Sequence, residues 1–311
     1  MKNKLTVRKD MVMLFGDRDD GVIGVPCLTA EEHVVEAGYF YGKKHPKNIV
    51  AISAQAGCPM QCVFCELGCQ KYCRNLTPQE MNDQVELVLS EAARLGFDHS
   101  DLPYKVSISL SGEPLLNESL IESLALIGGN PRTIKVSTVF PAGEVALGNF
   151  DKLAEYSSGL KGQVIQLQIS LLSTFEKKRM EMIGYGGADF ATISEAGARW
   201  RQKNPLGRKI NLSLMIVGNE PCDPSLLTEI FPPEHFRLRF REYVPTINGG
   251  QHQLKAVSKE RMTQIMAEAG EVGYQVGDWA IPTPIERRFG LAANTIRQRY
   301  LDMVQRFKTE Q

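Results

Sequence analysis

Residues 49–65 of this 311-residue chain read IVAISAQAGCPMQCVFC, and this stretch decides the fold. An apolar run typical of a buried strand leads directly into a loop with three cysteines, Cys58, Cys62 and Cys65, in a C-x3-C-x2-C pattern. Three thiolates this close together can hold three corners of a cubane [4Fe–4S] cluster and leave the fourth iron open for a ligand. The pattern therefore indicates chemistry at the iron rather than electron storage alone.

A structural zinc site and three unrelated thiols are the alternatives. Zinc sites usually combine two pairs of Cys or His ligands that lie a dozen or more residues apart. The sequence has no second pair at that distance, and its five histidines are scattered. The pattern favours iron and sulfur over zinc.

The bulk properties limit the partners and the compartment. Lys and Arg together number 36, as do Asp and Glu, so the net charge is zero, which argues against a large nucleic-acid interface without excluding one. Seven cysteines, five of them within residues 58–73, do not resemble a disulfide framework and fit a reducing cytosol. The N-terminus does not resemble a signal peptide, and no apolar run reaches the ~18 residues of a membrane span. We therefore expect a cytoplasmic protein with no membrane partner.

Strands and helices alternate along most of the chain. Apolar periodicity predicts strands at 49–53, 106–110, 134–139, 164–172, 210–217, 236–243 and 273–276. It predicts helices after the capping box at Thr77, and near 120–127, 174–183, 189–203, 224–230, 258–271 and 292–308. Such alternation predicts an α/β fold with a parallel sheet, and about six units suggest a partial (βα)6 barrel of the TIM type. Ligands would then bind at the carboxyl ends of the strands.

Three regions are expected. Residues 1–45 would form a small N-terminal β element, because two short apolar runs flank a turn-like segment at 16–21. Residues 46–285 would form the partial barrel, and residues 286–311 a C-terminal helix.

Polar residues follow the predicted barrel strands. Gly112 and Glu113 precede Pro114 at the end of the second strand, while Ser137 and Ser170 end the next two. A glycine allows close backbone approach to a ligand, and a proline stiffens the turn. Taken singly, each could be an ordinary turn or cap residue. Their matching positions make them candidates for a ligand site.

The cysteine motif resembles that of the radical S-adenosylmethionine (SAM) enzymes. The resemblance implies a [4Fe–4S] cluster on Cys58, Cys62 and Cys65, whose open iron chelates the amino and carboxylate groups of SAM. One electron, supplied by a flavodoxin or ferredoxin, then cleaves SAM and releases a 5′-deoxyadenosyl radical. Gly112 and Glu113 look like the GGEP-type motif that holds SAM in these enzymes, and Ser137 and Ser170 would assist them.

Within this superfamily, the stretch from about residue 48 to 245 resembles the 23S rRNA adenine methyltransferases of the RlmN/Cfr type. The shared motifs include a form of S-S-Q-x-G-C at 53–58, R-N-L-T at 74–77, G-E-P-L-L-N at 112–117, V-S-T-V at 136–139 and I-S-L at 169–171. These motifs follow one another in the same order as in that family, which makes the resemblance specific.

The departures from that family lie at residues that carry its methyl transfer. Ala51 stands where one catalytic cysteine is expected, and Phe289 stands where the methyl-carrying cysteine is expected. Methyl transfer to a protein thiol needs a thiolate, which Phe cannot supply. Val244 replaces a SAM-binding Asn, and Leu172 replaces a His. The N-terminal helical domain of that family has no counterpart in this sequence.

The remaining cysteines and charged runs have open roles. Cys73 and Cys27 are the candidate catalytic residues. Cys69 and Cys73 could bind an auxiliary metal. Cys27, which could point toward the barrel mouth, or Cys222 could replace a missing thiol. Incidental or buried structural thiols are the simpler interpretation of all four. The charged run at 176–179 predicts a solvated helix face.

The leading expectation is a radical SAM enzyme that acts on an unidentified small metabolite, nucleotide or peptide. An RNA adenine methyltransferase with rearranged cysteines is the alternative, so a nucleic-acid substrate is possible but not favoured. A non-catalytic metal-binding module is a second alternative.

Overall fold

The computed structural model describes residues 4–7, 12–17, 19–42, 47–69, 71–97, 104–127 and 131–277. The strands are β1 Thr6–Val7, β2 Met13–Gly16, β3 Asp20–Leu28, β4 Val34–Gly42, β5 Lys47–Ile52, β6 Gln55–Ala56, β7 Arg74–Asn75, β8 Lys105–Ile108, β9 Thr133–Thr138, β10 Val164–Leu172, β11 Ile210–Ile216, β12 Phe236–Glu242 and β13 Val276–Gly277. The helices are α1 Pro78–Arg94, α2 Leu120–Leu126, α3 Glu144–Gly159, α4 Glu176–Met182, α5 Phe190–Lys203, α6 Ile247–Gln251 and α7 Lys259–Glu271. Short 3-10 helices span Glu66–Cys69, Pro114–Leu116 and Pro224–Leu227.

One large sheet organises the molecule. Its order is β1-β3-β4-β5-β8-β9-β10-β11-β12-β13, with β2 paired to β3. All pairings from β5 to β13 are parallel, whereas those among β1 to β5 are antiparallel. The described strands form an open sheet rather than a closed barrel. The predicted α/β fold with a partial barrel sheet is confirmed.

The two faces of the parallel sheet differ sharply in chemistry. The outer face carries Val106, Ile134, Leu167, Leu212 and Leu238, which lie in one buried apolar core with residues of the surrounding helices. The inner face carries the alternate residues, because side chains along a strand point in turn to opposite sides. Ser137, Gln168, Asn211 and Arg237 lie in register across β9 to β12 on this inner face.

Several local predictions differ from the structure. Helix α3 was not predicted, although Ala146, Phe150 and Leu153 are buried at helical spacing. The predicted helix at 224–230 is only the 3-10 turn Pro224–Leu227, and the last predicted barrel strand is the short β13. The N-terminal strands continue the barrel sheet through the β4–β5 pairing. The division of the chain into three regions stays a prediction, and the predicted helix at 292–308 lies outside the described residues.

Candidate functional site

The three cysteines lie in a loop at the carboxyl end of β5, the first parallel strand. The two-stranded ribbon of β6 and β7 closes this loop at its base through the pairs Gln55–Asn75 and Ala56–Arg74. Gly57 can make the turn because its φ is 75°, and a Cβ there would lie 2.2 Å from the carbonyl oxygen of Lys71. The loop is therefore held by backbone pairing on both sides of the cysteines.

The thiols of the loop lie close to one another in a shielded pocket. Burial raises the pKa of Cys58 to about 12, and the nearby charge of Cys65 raises it further. Burial also raises the pKa of Cys62 well above its usual value, with Cys65 and Cys58 adding to the effect. Apolar side chains surround the three thiols, among them Met60, Leu172, Met182, Ile183 and Tyr243. These thiols would become thiolates only against a compensating positive centre.

The donor set fits an iron–sulfur cubane better than a single metal ion. Within the described ranges, no three His, Cys, Asp or Glu side chains are placed to hold one metal ion. In a cubane each cysteine binds its own iron, so the three thiols need to surround the cluster without converging on one point. Three neighbouring cysteines in an apolar cluster, with Cys62 buried and Cys58 and Cys65 partly buried, meet this requirement.

The Gly112–Glu113 turn is joined directly to the cysteine loop. Gly112 has a φ of 95°, and a Cβ there would lie 2.5 Å from the Cβ of Gln55. The nearby backbone N–H of Gly112 works against the rise in the pKa of the Cys58 thiol that burial causes. Gln55 accepts from the Glu113 N–H at 2.8 Å and donates to Asn75 Oδ1 at 2.8 Å. The glycine permits a backbone approach that any side chain would block.

The Glu113 carboxyl group links the ends of two strands. Its Oε1 accepts from Leu115 N at 3.0 Å and from Thr138 Oγ1 at 2.5 Å, and its Oε2 accepts from Val139 N at 2.9 Å. Burial raises the pKa of Glu113 to about 7 despite these three donors. The Glu113 carboxyl group thus connects the carboxyl ends of β8 and β9. Its contact with SAM stays a prediction.

The two predicted serines lie at the same mouth. The Ser137 hydroxyl is buried and has no hydrogen-bond partner among the residues that the structure describes, so it is a candidate polar contact for a ligand. Ser170 is partly buried beside a bulge in β10, where the register shifts between Ser170 and Leu172. Leu172 has a φ of 70°, a strained value for a leucine. Both serines remain candidate SAM ligands.

Arg179 corrects the prediction that residues 176–179 form a solvated helix face. Its side chain is fully buried and donates to Ala188 O at 2.6 Å and Val139 O at 2.5 Å. Burial lowers its pKa to about 10, while the charges of Glu176, Cys62 and Glu113 oppose that shift. A buried guanidinium therefore lies beside both the cysteine loop and the Glu113 turn.

A segment after β12 also contacts the cysteine loop. Sequence reasoning did not single out this segment. Asn248 Nδ2 donates to the carbonyls of Cys62 at 3.2 Å and Cys65 at 3.0 Å. Thr246 Oγ1 donates to Phe64 O, and Glu66 accepts from Ile247 N. The sequence signal was limited to the N-cap threonine that starts α6. These residues are about 180 positions from the loop, so no local motif reveals the contact.

The other cysteines are not gathered at the loop. Cys27 is fully buried in the core on the outer face, and burial raises its pKa to about 12, so it does not point toward the barrel mouth as suggested. Cys222 is buried with its pKa raised to about 11 by burial. Cys73 is exposed next to the ribbon and remains a candidate. The side chain of Cys69 lies outside the described part of the protein.

The fold and the three-cysteine loop define a class, that of proteins with the radical SAM fold. The crystal structure of a radical SAM methyltransferase from Sphaerobacter thermophilus has a similar fold, with a TM-score of 0.69 and 19% identity over 88% of this chain and 76% of that chain. No protein-family model matches the chain.

Curated proteins similar to this chain are described as RlmN proteins. The chain is 35% identical over 140 residues to a protein of Chlorobium phaeovibrioides described as "Probable dual-specificity RNA methyltransferase RlmN", covering 42% of this chain and 34% of the relative. It is 28% identical over 231 residues to a protein of the same description from Thermotoga sp. strain RQ2, covering 70% and 60%. The chain thus spans less than two thirds of these relatives. The resemblance to RlmN-like radical SAM proteins is confirmed, and it implies a [4Fe–4S] cluster and SAM as cofactors.

Among the described residues, no helix is both long enough and apolar enough to cross a membrane.

Proposed function

We propose that this protein is a radical SAM enzyme that cleaves SAM reductively and acts on a substrate other than ribosomal RNA. The observation that carries this proposal is the joined site at the end of β5. The cysteine loop is joined to the Gly112–Glu113 turn through Gln55, which accepts from the Glu113 N–H, and the Ser137 hydroxyl nearby has no hydrogen-bond partner among the described residues.

The residues of the chain have distinct roles in this proposal. Cys58, Cys62 and Cys65 would hold the cluster, and Gly112, Glu113, Ser137 and Ser170 would hold SAM. When bound, the cluster supplies one electron to SAM, which yields methionine and a 5′-deoxyadenosyl radical. The apolar shell of Met60, Leu172 and Tyr243 would exclude water from this chemistry. A flavodoxin or ferredoxin would serve as the external reductant.

RNA adenine methylation is the second candidate, because the curated relatives are described as probable RNA methyltransferases. The chain lacks the thiols that this reaction uses in the family. Ala51 lies on the inner face of β5, is 1% exposed and packs against Val22 and Leu110. Cys27 cannot take its place, because it lies on the opposite face of the sheet. Ala51 and Cys27 thus leave the inner face of β5 without the thiol that this reaction needs there, which favours radical chemistry without methyl transfer.

Anaerobic reconstitution with iron and sulfide, followed by SAM and dithionite, tests the proposal. Chromatography should show 5′-deoxyadenosine without S-adenosylhomocysteine. Formation of both products would support the methyltransferase candidate. A protein that binds a cluster and forms neither product would contradict the proposed function and favour a non-catalytic metal-binding role.

A further inference from the structure

One row of side chains on the inner face of the sheet is polar and carries no charge. Ser137, Gln168 and Asn211 lie next to one another in register on β9, β10 and β11. Their neighbours along the chain, such as Leu167 and Leu212, lie in the apolar core of the outer face, so the three polar side chains project inward. Paired strands lie about 4.8 Å apart, so side chains of adjacent strands can contact one small ligand group.

The amide group of Gln168 is nearly enclosed and has no partner among the described residues. Gln168 is 5% exposed, and its side chain neither donates to nor accepts from any residue that the structure describes. Gln166, the preceding inward residue of β10, behaves differently, because its Nε2 donates to the carbonyls of Leu167 and Lys209, each at 3.1 Å. Buried amide groups normally have hydrogen-bond partners. Gln168 therefore keeps both its donors and its acceptor for a ligand.

The amide group of Asn211 beside it has a fixed orientation. Arg237 Nε donates to Asn211 Oδ1 at 2.5 Å. Because a guanidinium group has donors only, the amide atom that faces it is the oxygen. The Nδ2 group lies on the other side of the planar amide and has no partner among the residues that the structure describes. Asn211 is 1% exposed, so it offers a buried, directed N–H donor next to the Gln168 amide.

We propose that Gln168 and Asn211 bind a carboxamide group of the substrate on the inner face of the sheet. Gln168 Nε2 would donate to the carbonyl oxygen of the ligand while Oε1 accepts its N–H, the two parallel hydrogen bonds that glutamine also forms with adenine. The second lone pair of that carbonyl oxygen would accept from Asn211 Nδ2. Ser170 lies about 7 Å farther along β10, so the carboxamide would lie just below a predicted SAM contact. This inference rests on the proposed function and specifies its substrate class.

Two cations border the row, and they make a carboxylate the competing ligand. Arg237 adjoins Asn211, and Lys135 is the inward residue of β9 that precedes Ser137. Neither cation lies between Gln168 and Asn211, which are direct partners on adjacent strands. A carboxylate paired with the Gln168 amide would set one of its oxygens against Oε1, and an alcohol would form only one of the two parallel bonds. The carboxamide alone among these groups uses every donor and acceptor of the pair.

The test is a saturation-transfer NMR titration of the anaerobically reconstituted, SAM-loaded enzyme without reductant. N-methylacetamide supplies the carboxamide, methyl acetate has the same shape without the N–H, and acetate supplies the carboxylate. N-methylacetamide should bind, and the other two should bind at least about tenfold more weakly. Gln168→Met should weaken N-methylacetamide binding at least about tenfold, because both parallel hydrogen bonds are lost. Gln202→Met makes the same change at an exposed position of α5 and should bind like the unmodified protein.

Urea denaturation separates a ligand-binding role of Gln168 from a structural one. Because its amide has no partner among the described residues, Gln168→Met should keep or raise the unfolding free energy of the apoprotein. A clear loss of stability would overturn the proposal, since it would show that the amide is already satisfied within the protein. Gln168→Glu is a second variant of the same size, which keeps the acceptor and loses the N–H donors. Retained N-methylacetamide binding by Gln168→Glu would also overturn the proposal.

The remaining outcomes distinguish the carboxamide from other ligands. Equal binding of N-methylacetamide and methyl acetate would overturn the proposal, as would tighter binding of acetate. Tenfold weaker SAM binding by Gln168→Met would overturn it by placing the amide in the SAM site, and binding of adenosine without N-methylacetamide would assign the amide to a nucleobase. Formation of 5′-deoxyadenosine by the unmodified enzyme is measured separately and tests the proposed function, since it needs no carboxamide ligand.

Discussion

The two halves of the parallel sheet resemble each other in architecture and differ in what they carry. The first half, β5 to β9, carries the cysteine loop and the Gly112–Glu113 turn, whose motifs resemble those of the RlmN type, although Ala51 stands where a cysteine is expected. The second half, β10 to β12, carries Leu172 and Val244 where that family has His and Asn, together with a row of inward arginines. The first half thus carries most of the residues that are expected to hold the cluster and SAM. The second half carries Ser170 as a further expected SAM contact and departs from the RlmN type at another, the Asn that Val244 replaces.

The sharpest test of this division is removal of one cluster cysteine. Cys62→Ala should abolish iron binding and reduce 5′-deoxyadenosine formation to the level without enzyme, because Cys62 is the most buried of the three thiols. Iron content and visible absorbance after reconstitution provide the measurement.

Cys222→Ala is the matched control in the second half, since it removes a buried thiol that lies beside Thr174 and belongs to the other apolar core. It should keep its iron and its SAM cleavage. Loss of the cluster in both Cys62→Ala and Cys222→Ala would contradict the assignment of cluster binding to the first half of the sheet.

Arg179 connects the halves, and its removal should have the next largest effect. Arg179→Met leaves the carbonyls of Val139 and Ala188 without their donor and Glu113 without a nearby cation. Breaking such a buried arrangement costs ~3–5 kcal/mol of unfolding free energy. Urea denaturation of the apoprotein measures this loss independently of the cluster.

The neighbouring Lys178→Met tests whether burial is the cause. Lys178 pairs with Glu220 at 3.1 Å, and both side chains are partly exposed. A surface change of this kind alters stability by ~0.5 kcal/mol or less. If both variants lost the same unfolding free energy, burial of Arg179 would not be the cause of its contribution to stability.

The sequence predicted the first half of the site better than the second for a physical reason. The three cysteines and the Gly112 turn are contiguous motifs, and each follows a strand, so the parallel topology alone places them at one edge. Arg179 does not belong to a contiguous motif, so no local sequence pattern indicates its role. A charged run on a helix is normally solvated, and only the packing of α4 shows that one of its four positions faces inward.

The same distinction applies to the fold. The alternating strands and helices predicted the parallel sheet, but the continuation of the sheet into β3 and β4 depends on pairing between residues such as Gly38 and Ala51. Helix α3 was missed although its apolar spacing was present, because it begins at Gly143 without a side-chain cap. Long-range pairing and uncapped helix starts leave little local signal.

Asn248 tests the contact that the second half makes with the cysteine loop. Asn248→Ala removes the donor to the carbonyls of Cys62 and Cys65, and an unsatisfied buried acceptor costs ~1–3 kcal/mol. We expect a lower melting temperature and slower iron uptake, with the cluster still formed. Gln251→Ala, at an exposed position of the same helix, should change neither property. Identical behaviour of the two variants would refute a supporting role for α6.

The smallest expected effect belongs to the exposed side of the first half, where Glu31 accepts from Arg74 at 2.7 Å. The hydrogen bond with Arg74 lowers the pKa of Glu31 to about 2. A lowered folded-state pKa adds stability above the unfolded-state pKa, near 4.5, and that stability is lost as the pH falls toward 2. Glu31→Gln should therefore be slightly less stable than the unmodified protein at pH 7, and the difference should vanish in acid. Urea denaturation at several pH values measures it, with Glu32→Gln, also exposed, as the control. Because Arg74 keeps its buried bond to Glu80 at 2.7 Å, the cysteine loop should hold its iron in this variant. Loss of iron from Glu31→Gln at pH 7 would mean that the surface pair, and not the Arg74–Glu80 pair, anchors the ribbon beneath the cysteines.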